Sequence, residues 1–81
     1  MAPALYRQYI RQVLHGAAPF GVPEKALAEA VKTLVGGSFD LSTHRDAVEW
    51  NLKEDLIRSH ENPDTDAKEW KLTPKGAAKQ S

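Results

Sequence analysis

The chain contains no cysteine, which excludes both a disulfide staple and a thiolate zinc site. It has no excess of charge of either sign, with 11 basic residues against 11 acidic. That balance is unusual for a nucleic-acid binder, whose affinity for phosphate comes largely from clustered Lys and Arg. No apolar run approaches the ~18 residues that a membrane span needs. The N-terminal Met-Ala-Pro-Ala-Leu-Tyr-Arg lacks a basic patch followed by an apolar stretch, so it does not read as a signal peptide, and the default location is cytoplasmic. There are no internal repeats and no low-complexity segments. Eighty-one residues make a single domain. A chain this short buries only about 60% of its unfolded surface, so its stability margin is thin. Apolar residues, 41% of the chain, must supply the core.

The charge that is present is unevenly spread. Residues 1–23 carry Arg7 and Arg11 and no acid. Residues 38–67 carry three basic residues against eight acidic ones, a net of −5. Residues 68–81 carry four lysines against Glu69. The ends are basic and the middle is acidic. The basic residues of the two ends would form one phosphate-binding patch only if the first helix and the last strand lay side by side; otherwise they are scattered solubility charges.

Helical periodicity marks three segments. Leu5, Tyr6, Tyr9, Ile10, Val13 and Leu14 recur at helical spacing and predict a helix over 4–15, stopped by Gly16. Pro23-Glu24 is a helix start, Leu27, Ala30, Val31, Leu34 and Val35 form its stripe, and Gly36-Gly37 closes it near 35. Ser42 or Thr43 can cap a third helix running to about 54. On its wheel Leu41, Val48, Leu52 and Leu56 fall in one arc, with Thr43, Asp46, Ala47, Trp50, Lys53 and Glu54 roughly opposite. Ala17–Val22 is a connection with a possible short extended piece near Phe20–Val22, and Phe20 is expected to plug the core.

Ile57–Glu61 reads as a strand, Asn62-Pro63-Asp64-Thr65-Asp66 as a turn, and Lys68–Thr73 as a second strand with Trp70 and Leu72 on one face. A hairpin alone is marginal in water, so that face must pack on the helices. The ordered domain is expected to span 1–76, with a tail at 77–81. The expected core is Leu5, Tyr9, Ile10, Val13, Leu14, Leu27, Val31, Leu34, Leu41, Val48, Leu52, Leu56, Ile57, Trp70 and Leu72.

Three helices followed by a hairpin give a mainly α fold with a small β component, the layout of a winged helix-turn-helix with a two- or three-stranded wing. Leu56-Ile57 together with Leu72-Thr73-Pro74-Lys75-Gly76 resembles the wing of MarR-type transcriptional regulators. The resemblance covers about 22 of the 81 residues. It implies that the third helix lies where relatives place a recognition helix in the major groove. Two departures stand out. Asp66-x-Lys68 replaces the family's wing-tip Asp-x-Arg, and Asp55 replaces the usual glycine before Leu-Ile. Family members dimerise through long terminal helices, for which these 81 residues leave no room.

Two functions follow from the residues. As a small DNA-binding, transcription-regulatory module, the chain would dock through Thr43, His44, Arg45, Asn51 and Lys53 of the third helix, with Lys68, Lys71 and Lys75 on phosphates. As a protein-interaction module it would use the acidic third helix, with Asp46, Trp50 and Glu54 as the contact, since Trp is enriched at binding hot spots. His15, His44 and His60 are dispersed, which speaks against a metal. No nucleophile motif or glycine-rich phosphate loop is present, so neither an enzyme nor a cofactor is expected.

Overall fold

A computed structural model describes residues 3–80. The elements run α1 (Pro3–Ala17), β1 (Val22–Pro23), α2 (Glu24–Val35), α3 (Leu41–Lys53), β2 (Ile57–Glu61), β3 (Lys68–Leu72) and α4 (Pro74–Gln80). The strands form one antiparallel sheet in the order β1-β3-β2. Val22 pairs with Trp70, and Ile57 to Glu61 pair with Leu72 to Lys68. The fold is thus mainly helical with a small sheet, as the periodicities predict.

The central element is α1, which packs against α2, α3, α4 and β3. Tyr6, Ile10 and Leu14, one turn apart on a single face, are buried against Leu27 and Val31 of α2, Ala47 of α3, and Val22, Ile57 and Trp70 of the sheet. Fully burying one such large side chain stabilises the fold by about 1.5–3 kcal/mol. Tyr6 adds a polar contact: its hydroxyl accepts from the Asp40 N–H at 2.9 Å, tying the start of α3 to α1.

The helix ends are chemically specified. Gly36, at φ +89°, closes α2 and donates its N–H to the Lys32 carbonyl. The cap of α3 is Asp40, not Ser42 or Thr43. Its carboxylate accepts from both the N–H (2.9 Å) and the hydroxyl (2.6 Å) of Thr43. Those bonds hold the Asp40 carboxyl below the usual carboxylate range. The far end of α3 closes as a Schellman turn. The Leu56 N–H reaches back to the Asn51 carbonyl, the Asp55 N–H to that of Leu52, and Asp55 takes the left-handed conformation at φ +59°. Asp55 therefore sits where glycine is the natural choice.

The 62–67 turn is held by the Asn62 side chain, which accepts from the Asp64 N–H, and by the Asn62 N–H donating to the Ala67 carbonyl. Chain order does not end at Gly76. Leu72-Thr73-Pro74-Lys75-Gly76 is a strand end followed by a helix start: the Thr73 hydroxyl accepts from the Gly76 N–H and donates to the Asp55 carbonyl, and Pro74 opens α4. The expected 77–81 tail is therefore helical as far as Gln80, and Ser81 lies outside the described residues. A Cβ on Gly76 would land on the Leu56 carbonyl oxygen, so this helix seats tightly on the α3–β2 junction.

Five residues expected in the core face solvent instead, among them Leu5, at the first turns of α1 and 36% exposed. Phe20 is 75% exposed, and Val22 fills the interior place beside Trp70. Leu34 sits at the end of α2, and Leu41 and Leu52 are 46% and 45% exposed. The last two belong to a larger correction. The inward residues of α3 are His44, Ala47 and Asn51, so the helix is turned by about 90° from the orientation its apolar arc predicts. Small Ala47 lets α3 approach α1, and a polar network fixes the rotation. The Asn51 side chain accepts from the Arg11 guanidinium at 2.8 Å and donates to the carbonyls of Arg7 and Ala47, while Arg11 Nε donates to the Gln80 side chain. These bonds join α1, α3 and α4 through groups that hydropathy treats as surface.

Candidate functional site: a groove beside the third helix

The rotation of α3 turns outward a stripe that is apolar except for Arg45, with Val48 still partly buried against the core. Leu41, Arg45, Val48 and Leu52 follow one another at spacings of four, three and four, and they line one side of a groove. The first turns of α2 (Glu24, Lys25, Leu27, Ala28) form the other side, and Lys68 and Trp70 of β3 close one flank. The groove volume is about 510 Å³.

Its floor contains two buried rings, His44 (3% exposed) and Trp70 (2%). Among the described residues, His44 Nδ1 and Trp70 Nε1 have no hydrogen-bond partner. The Lys68 ammonium lies 4.8 Å from the Trp70 ring centroid, within cation–π range. His44 packs on Phe39 at 5.6 Å between ring centroids. Burial is the main reason its pKa is lowered; Glu24 opposes the shift and Arg45 adds to it. The rim carries both signs: Lys25, Arg45 and Lys68 against Glu24 and Glu49.

The residues proposed for DNA contact do not share one surface. Asn51 is fully buried in the network with Arg11, and His44 is buried in the groove floor. Thr43 is half-buried, with its hydroxyl committed to Asp40. Lys75 donates to the Glu54 carbonyl at 3.0 Å. Arg45, Lys53, Lys68 and Lys71 remain exposed. Of these, Arg45 and Lys68 border the groove, while Lys71 borders a second depression with His15, Pro19 and Phe20.

The residues proposed for protein contact are also divided. Asp46 and Glu54 are exposed. Trp50 is half-buried and lies under the Arg7 guanidinium, 4.4 Å from its ring centroid. Neither the groove stripe nor the α1 network includes it. With Arg11 buried and Arg7 stacked on Trp50, the α1 arginines do not join the β3 lysines in one patch.

The groove itself was not anticipated. Its signal in the sequence is the arc of Leu41, Val48 and Leu52, which reads as a core stripe.

Comparison with protein-family models, curated proteins and solved structures gives no match. Among the described residues no helix is long and apolar enough to cross a membrane, and no group of three or more His, Cys, Asp or Glu side chains could hold a metal ion.

Proposed function

We propose that this chain is a winged-helix domain that works as a protein-interaction module, with the outward stripe of α3 as its docking face. The order helix, short strand, two helices and hairpin, with the first strand pairing to the last, supports the winged-helix reading. So does the resemblance of Leu56-Ile57 and Leu72–Gly76 to a MarR-type wing. The single observation that carries the interaction reading is the rotation of α3. Its polar residues His44 and Asn51 turn inward, while Leu41 and Leu52 stand nearly half exposed beside a groove floored by His44 and Trp70. A helix face that carries exposed leucines at both ends, with Asp46, Glu49 and Glu54 alongside, suits a helical protein partner better than base edges and phosphates. The contact then differs from the one expected around Trp50: it lies on the other flank of the same helix.

A DNA-binding, transcription-regulatory role would rest on Arg45, Lys53, Lys68 and Lys71, with Asp46, Glu49 and Glu54 alongside on the same helix. An amide NMR titration with a generic DNA duplex, at low and then higher salt, separates the two roles. The interaction reading expects α3 and β3 resonances to stay in place at both salt concentrations. Salt-sensitive shifts at Arg45, Lys53 and Lys68–Lys75 would overturn it in favour of DNA.

A further inference from the structure

We propose that the occupant of the α3 groove is a second copy of this chain, packed antiparallel through α3 about a two-fold axis between residues 46 and 47. This rests on the reading of α3 as a protein-docking face. The stripe residues follow the a/d spacing of a helix–helix seam. The order 4-3-4 is the same in both directions, so the stripe is complementary to itself when reversed. Antiparallel pairing places Leu41 against Leu52 of the partner at each end, and Arg45 against Val48 of the partner in the two inner layers. The aliphatic stem of Arg45 then covers Val48 while its charged head passes on toward the next residue.

That next residue is Glu49, which lies on the groove rim beside Val48. The two-fold axis therefore creates two reciprocal Arg45–Glu49 ion pairs across the seam. Neither Arg45 nor Glu49 has an ion-pair partner among the described residues of its own chain, so both are free to pair across the interface. The chain has no net charge, so two copies approach without long-range repulsion. A contact confined to one helix and its flanks falls below about 1,200 Å², the size of transient interfaces, so the dimer is expected to be weak.

Sedimentation equilibrium and NMR dilution of the whole chain, up to about 1 mM, test the proposal. Wild-type protein is expected to dimerise reversibly, with dilution shifts centred on Leu41–Leu52. Arg45→Glu and Glu49→Arg should each weaken the dimer by about tenfold or more. Mixing the two variants should restore association, because the Arg45→Glu chain then presents two acids to the two arginines of the other. Leu52→Glu should abolish the dimer. Both charge positions are exposed, and unchanged thermal melting at low concentration shows that these variants still fold.

A wild-type protein that remains monomeric at the highest concentration overturns the proposal. So do dilution shifts centred on Phe20 instead of α3, or single reversals that leave association unchanged. None of those results touches the wider interaction reading, which fails separately if α3 responds to duplex DNA.

Discussion

Replacing Asn51 by alanine decides between the surface role its sequence position suggests and the interior role the fold gives it. Its side chain is fully buried, and its carbonyl oxygen is an acceptor for Arg11, itself 5% exposed. Among the described residues no carboxylate forms an ion pair with Arg11. Its burial and the nearby Arg7 charge both lower its pKa. The guanidinium therefore depends on neutral oxygens, those of Asn51 and Gln80.

Losing a hydrogen bond to a charged group costs about 1.5–3 kcal/mol. The small void left behind adds about 1 kcal/mol. The bond to the Ala47 carbonyl contributes little, because that oxygen lies within the helix ladder. Asn51→Ala should thus destabilise the domain by about 3 kcal/mol, a large share of the 5–10 kcal/mol or so typical of small domains. The melting temperature should fall by about 12–24 °C.

The partner test is the double variant Arg11→Met/Asn51→Leu, which removes both polar groups and fills the space with apolar atoms. It should recover most of the loss, since replacing both members of a buried polar pair is often near neutral. Urea denaturation of the wild type, Arg11→Met, Asn51→Leu and the double variant completes the cycle. A loss under about 0.5 kcal/mol for Asn51→Ala, the ordinary range for exposed positions, would refute the network and return Asn51 to the surface.

Three further outcomes are expected. Asp55→Gly should stabilise the domain by about 0.5–1 kcal/mol, because the left-handed position costs glycine nothing and the lost Asp55–Arg58 pair, at 3.9 Å and exposed, contributes little; chemical denaturation reads the sign. Gly76→Ala should cost more than about 2 kcal/mol or detach α4, since its Cβ meets backbone that cannot move aside, and loss of amide protection over residues 74–80 reports it. Burial lowers the folded-state pKa of His44 below its ordinary value of 6.5. The unfolded chain therefore takes up this proton first, and the contribution of His44 to stability, complete above that value, declines as pH falls through the folded pKa. Melting curves from pH 7 to 5 should show the decline, and His44→Leu should flatten it.

The elements that local chemistry specifies were legible in the sequence. The α1 stripe of Ile10 and Leu14 and the α2 stripe of Leu27 and Val31 face the core as their spacing predicts. The Gly36 stop lies where glycine places it, and the hairpin bracketed by Ile57 and Leu72 pairs as its alternation requires. The helix at 74–80 was also encoded, in Thr73 as cap and Pro74 at the first turn. Those residues satisfy a strand-end motif equally well, which is why the end of the domain reads as a tail. In α3 the strongest local signal pointed the wrong way. Leu41, Val48 and Leu52 form the most apolar arc, yet the helix buries His44, Ala47 and Asn51.

The sequence by itself determined which segments are helix and strand, where most of them start and stop, and that the charge is balanced. Those properties depend on neighbours within a few residues: periodicity, caps and glycines. Only the tertiary structure decided how α3 is turned about its axis. That orientation depends on Arg11, 40 residues away from Asn51 and one of its hydrogen-bond partners, and on Ala47 being small enough for α1 to approach. No local pattern encodes a polar pair separated by that length of chain. The same rotation brings Leu41, Arg45 and Leu52 to the surface, with Val48 partly buried between them, so the candidate docking face exists only once the helices have packed.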